Sequence, residues 1–226
     1  MPLKKIDLNV DIGEGFPYDR ELLHYATSVN ICCGEHAGSW ELTQETIEMC
    51  LSAGKRIGAH PGFGDREGMG RRVPPPSITR DPALIAQVDR FLEACDASYV
   101  KPHGAWYNLL SGALHGPCDF RCELRVIVRD YGLPAMLLPS SPVIDSLDGM
   151  VITEGFADRR YSVDGTLISR AESDAILDDP DEIRYQVLDL ATKVDSICLH
   201  GDNPQCIQFA ELVTQTLIDS GYQIAV

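Results

Sequence analysis

Four of the six histidines stand just past a short apolar run, and acidic residues accompany them. Residues 6–10 lead into Asp11, Gly13 and Glu14, and residues 28–32 into Gly34, Glu35 and His36. Residues 56–59 lead into His60, 99–101 into His103, and 197–199 into His200 and Asp202. Imidazole and carboxylate are the groups that exchange protons near neutral pH and that hold divalent ions. In a parallel α/β barrel the carboxyl ends of the strands share one rim, where residues remote in sequence meet. The pattern therefore predicts one enzyme-like site, rich in both groups, at a barrel mouth.

Each candidate has a plainer alternative. Asp11 and Glu14, bracketed by Gly13 and Gly15, are either turn residues capping a helix or a metal ligand and a general base. His36, His60 and His103, taken with Asp11, match the donor set that holds zinc or another divalent ion, and they equally suit metal-free acid/base work. Lys101 is either a paired surface lysine or the group that neutralises a substrate carboxylate or an oxyanion. The arginine pairs Arg71–Arg72 and Arg159–Arg160 are loop ion pairs or planar forks for carboxylate or phosphate. His200 and Asp202 read as a second acid/base pair, whereas His24 and His115 lack any such setting.

Seven strands are expected, at 6–10, 28–32, 56–59, 99–101, 134–138, 151–153 and 197–199, with a terminal one at 223–226. Helices are expected at 40–53, 81–94, 119–131, 179–193 and 203–221, the second with Asp81 as N-cap and Pro82 as its first residue. Such alternation means a parallel sheet. Because candidate residues follow the first, middle and last strands, closure into a barrel is favoured over an open sheet. Two long loops, 61–77 and 156–170, are expected over the rim, the second with a small hairpin at its Asp-Gly turn.

At 226 residues the chain fits one domain, spanning 1–226. Its net charge of −15 opposes binding to nucleic acid or an anionic membrane. No secretory signal or membrane-length apolar stretch is seen, so a cytoplasmic location is expected. The eight cysteines form no CxxC pair and read as reduced, mostly buried small residues.

The stretches DLNVDIGEGF, TSVNICCGEHAG, IGAHPGFGDREGMGRR, VKPHGAWYN, EGFADRRYSVDGTLISR and CLHGDNP, in this order, resemble the LamB/YcsF family over nearly the whole chain. The resemblance implies an irregular seven-stranded (β/α) barrel related to the metal-dependent polysaccharide deacetylases. It further implies one component of an ATP-dependent 5-oxoprolinase, which opens the 5-oxoproline lactam to L-glutamate together with subunits B and C. The chain has no GxxxxGK[ST] loop, which suits ATP being handled with those partners. Carried over residue by residue, the expected catalytic groups are Asp11, Glu14, His103, His200 and Asp202. Asn30, Arg71, Arg72, Lys101, Asp158, Arg159 and Tyr161 are expected to bind substrate, and Asp11, His36 and His60 a metal such as zinc or manganese. The chain departs from the family at Glu35, where an aromatic residue is usual, and at Cys33, where a small one is. It is also shorter than is typical before Tyr99 and before Ser196. Two other readings stay open: a stand-alone metal-dependent deacetylase or amidase, and a non-catalytic regulatory component.

Overall fold

Residues along β1 (Lys4–Ile12) alternate in character, with Asp7, Asn9 and Asp11 between Ile6, Leu8, Val10 and Ile12. Side chains alternate faces along a strand, so β1 presents one polar and one apolar face, and both are largely buried. The same alternation recurs in β2 (Ser28–Cys32), where Ser28 and Asn30 interleave with Val29 and Ile31, and in β7 (Ser196–His200). The computed structural model, which describes residues 3–116, 120–170 and 172–226, turns the polar faces inward.

The remaining strands are β3 (Arg56–His60), β4 (Tyr99–Val100), β5 (Ala135–Leu137), β6 (Val151–Phe156) and β8 (Tyr222–Ile224). All pairings are parallel, in the order β2-β3-β4-β5-β6-β7-β1, and an additional β1–β2 pairing closes the seven strands into a barrel. β8 stays outside the ring, pairing with β1 only at Lys4–Ile6. Helices pack on the outer, apolar faces. They are α1 (Asp19–Leu22), α2 (Trp40–Ser52), α3 (Ala83–Ala94), α4 (Gly104–Leu110), α5 (Arg121–Tyr131), α6 (Pro180–Leu190) and α7 (Cys206–Asp219). One apolar cluster joins Leu8, Val10, Ile31 and Leu199 to α6 and α7; another joins Val100, Ala135 and Leu137 to α3, α4 and α5.

The interior of the ring is a column of hydrogen bonds. Asp7 accepts from Ser28 Oγ (2.7 Å) and Ser196 Oγ (2.6 Å), and Asn9 Nδ2 donates to Ser196 Oγ (2.7 Å). Asn30 Nδ2 donates to Asn9 Oδ1 and Asp11 Oδ1, both at 2.7 Å. Tyr99 fills the lumen beside Gly58, where an added Cβ would lie 2.2 Å from its ring, so only glycine leaves it space.

Several helix starts differ from the sequence expectation. α3 begins at Ala83, with Pro82 as its cap, while Asp81 Oδ1 accepts from Ala83 N (3.1 Å). α7 begins at Cys206, because Asn203 Oδ1 takes Gln205 N (2.8 Å) in a turn that precedes the helix. α5 begins at Arg121; the expected start, Asp119, lies outside the described residues, as does Cys118. The hairpin in the long loop after β6 is present, bridged at Tyr161–Leu167. All seven described cysteines are free thiols, and only Cys122 is exposed.

Candidate active site

Strand register determines which residues meet. Asp11 lies opposite His200 on one side and Asn30 on the other, and Cys32 opposite His60, so these positions share a layer near the carboxyl ends. Asp11 Oδ1 accepts from Asn30 Nδ2 and from Lys101 Nζ at 2.9 Å. Tyr99 OH donates to Asn30 Oδ1 (2.6 Å), so the amide that holds Asp11 is itself held. Lys101 Nζ also meets Glu154 Oε2 (3.0 Å), Asn9 Oδ1 (3.3 Å) and Cys198 Sγ (3.1 Å).

Burial opposes charge on all of these groups. For Asp11 it is outweighed, chiefly by the Lys101 ammonium, which holds its carboxyl well below the usual range. Asp11, Cys198 and Glu154 likewise outweigh burial at Lys101 and hold its ammonium well above the usual value. Glu154 moves the other way, raised by burial and by Asp11 against the pull of Lys101. Lys101, expected to face a substrate anion, lines the cavity, and its ammonium is engaged with Asp11, Glu154 and Asn9.

The tautomers of two histidines follow from their partners. His60 Nδ1 lies 2.7 Å from the Lys101 carbonyl and His103 Nε2 lies 2.8 Å from the Met69 carbonyl. Carbonyls only accept, so both nitrogens carry hydrogen. The other nitrogens, His60 Nε2 and His103 Nδ1, then face each other at 2.9 Å, with the rings at 89°. Burial holds both rings below the usual imidazole value, His60 at about 3. Two neutral lone pairs in opposition need a cation between them, either a proton or a metal ion.

Glu14 Oε1 approaches this pair, at 3.4 Å from His103 Nδ1, and Asp11 Oδ2 lies 3.6 Å from His60 Nε2. Donor atoms of Glu14, His36, His60 and His103 all lie within 4.8 Å of one another. His36 differs from the other two. Its ring is stacked on His103 at 3.8 Å and 2°, so the in-plane lone pairs of the two run side by side and do not meet. Its Nε2 pairs with Glu14 Oε1 (3.4 Å). Burial disfavours its charge, but hydrogen bonds to Cys32 and Glu14 prevail and raise it to about 9, leaving a donor on each nitrogen. Gly62 and Gly70 make room for the stack, since a Cβ at either would lie 3.0 Å or less from both rings or their stems.

His200 Nδ1 meets both oxygens of Asp158, at 2.8 and 3.0 Å, and its ring stacks on Phe156. The expected partner, Asp202, is engaged elsewhere: its Oδ2 accepts from Arg71 Nη2 (2.9 Å) and Arg170 Nη1 (2.6 Å). Asp11, His60, His103 and His200 line one cavity of about 300 Å³, with Phe156 and Leu167 on its apolar side.

Several expected substrate contacts lie away from that cavity or are satisfied internally. Arg72 turns outward, 63% exposed, to Asp65 and Glu67. Asn30 is fully buried between Asn9, Asp11 and Tyr99. Tyr161 OH accepts from Phe156 N (2.6 Å), and Asp158 is occupied by His200. Arg159 lines the cavity, but its guanidinium donates to the Ala175 and Ile168 carbonyls. Sequence reasoning missed Asn9, Glu154 and Arg170; for the first, the alternation Asp-Leu-Asn-Val-Asp in β1 was the available signal.

A parallel seven-stranded (β/α) barrel with a histidine–carboxylate centre at its carboxyl rim is thus the class that fold and site define. The chain belongs to the LamB/YcsF family, whose model matches residues 6–226. It is 36% identical to the 5-oxoprolinase A subunit of Histophilus somni (strain 129Pt) over 242 residues, covering 97% of each chain. It is 38% identical to that of Haemophilus influenzae (strain PittEE), covering 95% of this chain and 96% of the relative. Among solved structures it resembles the lactam utilization protein of Thermus thermophilus, with a TM-score of 0.79, 27% identity, and 98% and 99% of the two chains covered. A deacetylase, T48, solved with substrate, shares the fold alone, at a TM-score of 0.53 and 14% identity, with 99% of this chain and 88% of that chain covered. No described helix is long and apolar enough to cross a membrane.

Proposed function

We propose that this chain is the ring-opening component of an ATP-dependent 5-oxoprolinase, converting the 5-oxoproline lactam to L-glutamate with subunits B and C. The carrying observation is the rim pairing of Asp11 with His200, itself oriented by Asp158, at the mouth of a cavity sized for a small molecule. The near full-length similarity to 5-oxoprolinase A subunits supports 5-oxoproline as the substrate. The lack of a GxxxxGK[ST] loop leaves ATP to the partners.

In this reading His200 carries the proton. Asp158 fixes the hydrogen on Nδ1, so Nε2 is free to accept. Water attacks the lactam carbonyl carbon, and its proton passes to His200 Nε2. The C–N bond then breaks as that proton moves to the leaving nitrogen. Asp11 is a poor base, because Lys101 stabilises its charged form; its role is to orient the water and to stabilise the imidazolium formed on His200. Lys101 and Asn30 keep its carboxylate in place.

The residues also fit a divalent ion of the zinc or manganese kind. His60 Nε2 and His103 Nδ1, with hydrogens fixed elsewhere by carbonyls, would hold it together with Glu14 and Asp11, while His36 acts as a donor to Glu14. Such an ion supplies Lewis-acid polarisation of an oxygen.

The test is turnover of purified chain with and without subunits B and C and ATP. The isolated chain is expected to make negligible glutamate, and the complete mixture to make it. Amide or N-acyl sugar hydrolysis by the chain alone would favour the deacetylase reading. Binding of 5-oxoproline by a complete mixture that makes no glutamate would favour a regulatory role.

A further inference from the structure

Two guanidiniums converge on one oxygen at the outer wall of the cavity. Arg71 comes from the loop between β3 and α3, Arg170 from the far end of the hairpin loop after β6, and Asp202 from two residues past β7. Arg71 Nη2 and Arg170 Nη1 both donate to Asp202 Oδ2, at 2.9 and 2.6 Å. Other arginine pairs of this protein differ: Arg129–Asp148 and Arg184–Asp181 each match one guanidinium to its own carboxylate. At Asp202 two positive charges share one negative charge, and one is left over.

That surplus faces the cavity. Arg71, Arg170 and Asp202 all line it, and the arginine side chains remain 36% and 24% exposed. Each guanidinium carries five N–H donors, of which a single one is engaged with Asp202 in each case. The surplus is felt nearby. Burial, together with the charges of Arg170 and Arg71, brings the Arg159 guanidinium down to about 10 despite Asp158. In a chain of net charge −15, an anionic substrate gains nothing from the average field and needs local positive charge of this kind.

We infer that Arg71 and Arg170, gathered by Asp202, form an anion fork at the cavity wall, and that Arg170 determines preference for a substrate carrying an anionic group. Asp202 is the positioning residue. The fork stands on geometry; naming its occupant as the carboxylate of the lactam rests on the ring-opening reading. A transferred phosphoryl group presents the same chemistry to a guanidinium pair.

The experiment is calorimetric titration of the full chain with 5-oxoproline, with 2-pyrrolidinone (the same ring without the carboxylate), and with inorganic phosphate. Wild type is expected to prefer 5-oxoproline over 2-pyrrolidinone at least tenfold. R170M should weaken 5-oxoproline at least tenfold and leave 2-pyrrolidinone unchanged, with R170K intermediate because a lysine keeps the charge and loses the fork. R72M should change neither, since Arg72 faces away. Unchanged affinity for 5-oxoproline in folded R170M and R170K overturns the fork, as does wild type that binds neither 5-oxoproline nor phosphate. Wild type that binds phosphate but not 5-oxoproline, with phosphate lost in R170M, keeps the fork and overturns the lactam reading.

Discussion

Asp11 uses Oδ1 for Lys101 and Asn30 and turns Oδ2 toward His60, so one carboxylate is anchored by one edge and offered by the other. Asp11→Asn keeps the shape and removes the charge. In the complete enzyme it is expected to slow glutamate formation by about 10²–10⁴-fold, the range for a lost acid/base partner. The fold should survive, because Lys101 retains Glu154. Wild-type turnover by the variant would remove Asp11 from the chemistry. Asp11, His60, His103 and His200 were legible because each stands at or just past the end of an apolar run, at the carboxyl end of its strand. Their partners were not. Asp158 is 42 residues from His200, and only three-dimensional placement shows that it, and not the nearer Asp202, holds the ring.

At the scale of elements, the turn after β1 depends on α1, whose Asp19 Oδ2 accepts from Gly13 N (2.8 Å). Burial pushes the Asp19 carboxyl up to about 6, with the nearby Glu14 adding to the shift against the Gly13 hydrogen bond. The folded state therefore binds a proton that the unfolded chain has released between about pH 4 and pH 6. The stability this group contributes is present below about pH 4 and is lost as pH rises through about 6. Asp19→Asn keeps an acceptor for Gly13 and removes the penalty. It should stabilise the protein by roughly 1–3 kcal/mol at about pH 7.5 and have little effect near pH 4, as read by thermal melts at both. An equal shift at the two pH values would rule out this account. Element positions were legible to within a few residues where apolar runs are unbroken, as in β2. In the sequence β6 reads as three residues because Glu154 and Gly155 interrupt its apolar pattern, although both lie inside the strand. Helix starts drift because backbone turns at Asn203 and Pro82 absorb residues that carry good capping side chains.

For the whole molecule, Lys101 is the one described cation buried inside the ring, and it binds β1 to β6 and β7 through Asp11, Glu154 and Cys198. Removing it leaves two buried carboxyls without their partner. Lys101→Met is expected to cost about 3–5 kcal/mol in urea unfolding, and a second change, Glu154→Gln, to recover part of that loss. An unchanged midpoint in the single variant would show that the interior charges contribute nothing to stability. Closure of the ring was legible from where the histidines fall, but not the register, which fixes which of them touch. The order in which the ring is made has its own consequence. β1 leaves the ribosome first, yet Asp7 finds Ser196, 189 residues later, only when β7 arrives. Until then a nascent chain carries an open strand edge and a hydrophilic inner face with no opposite wall. Such late, long-range pairing makes folding slow and exposes the growing chain to aggregation. It also means that no translation product that stops before β7 can place Asp11 beside His200, so this centre comes into being only with the closing of the barrel.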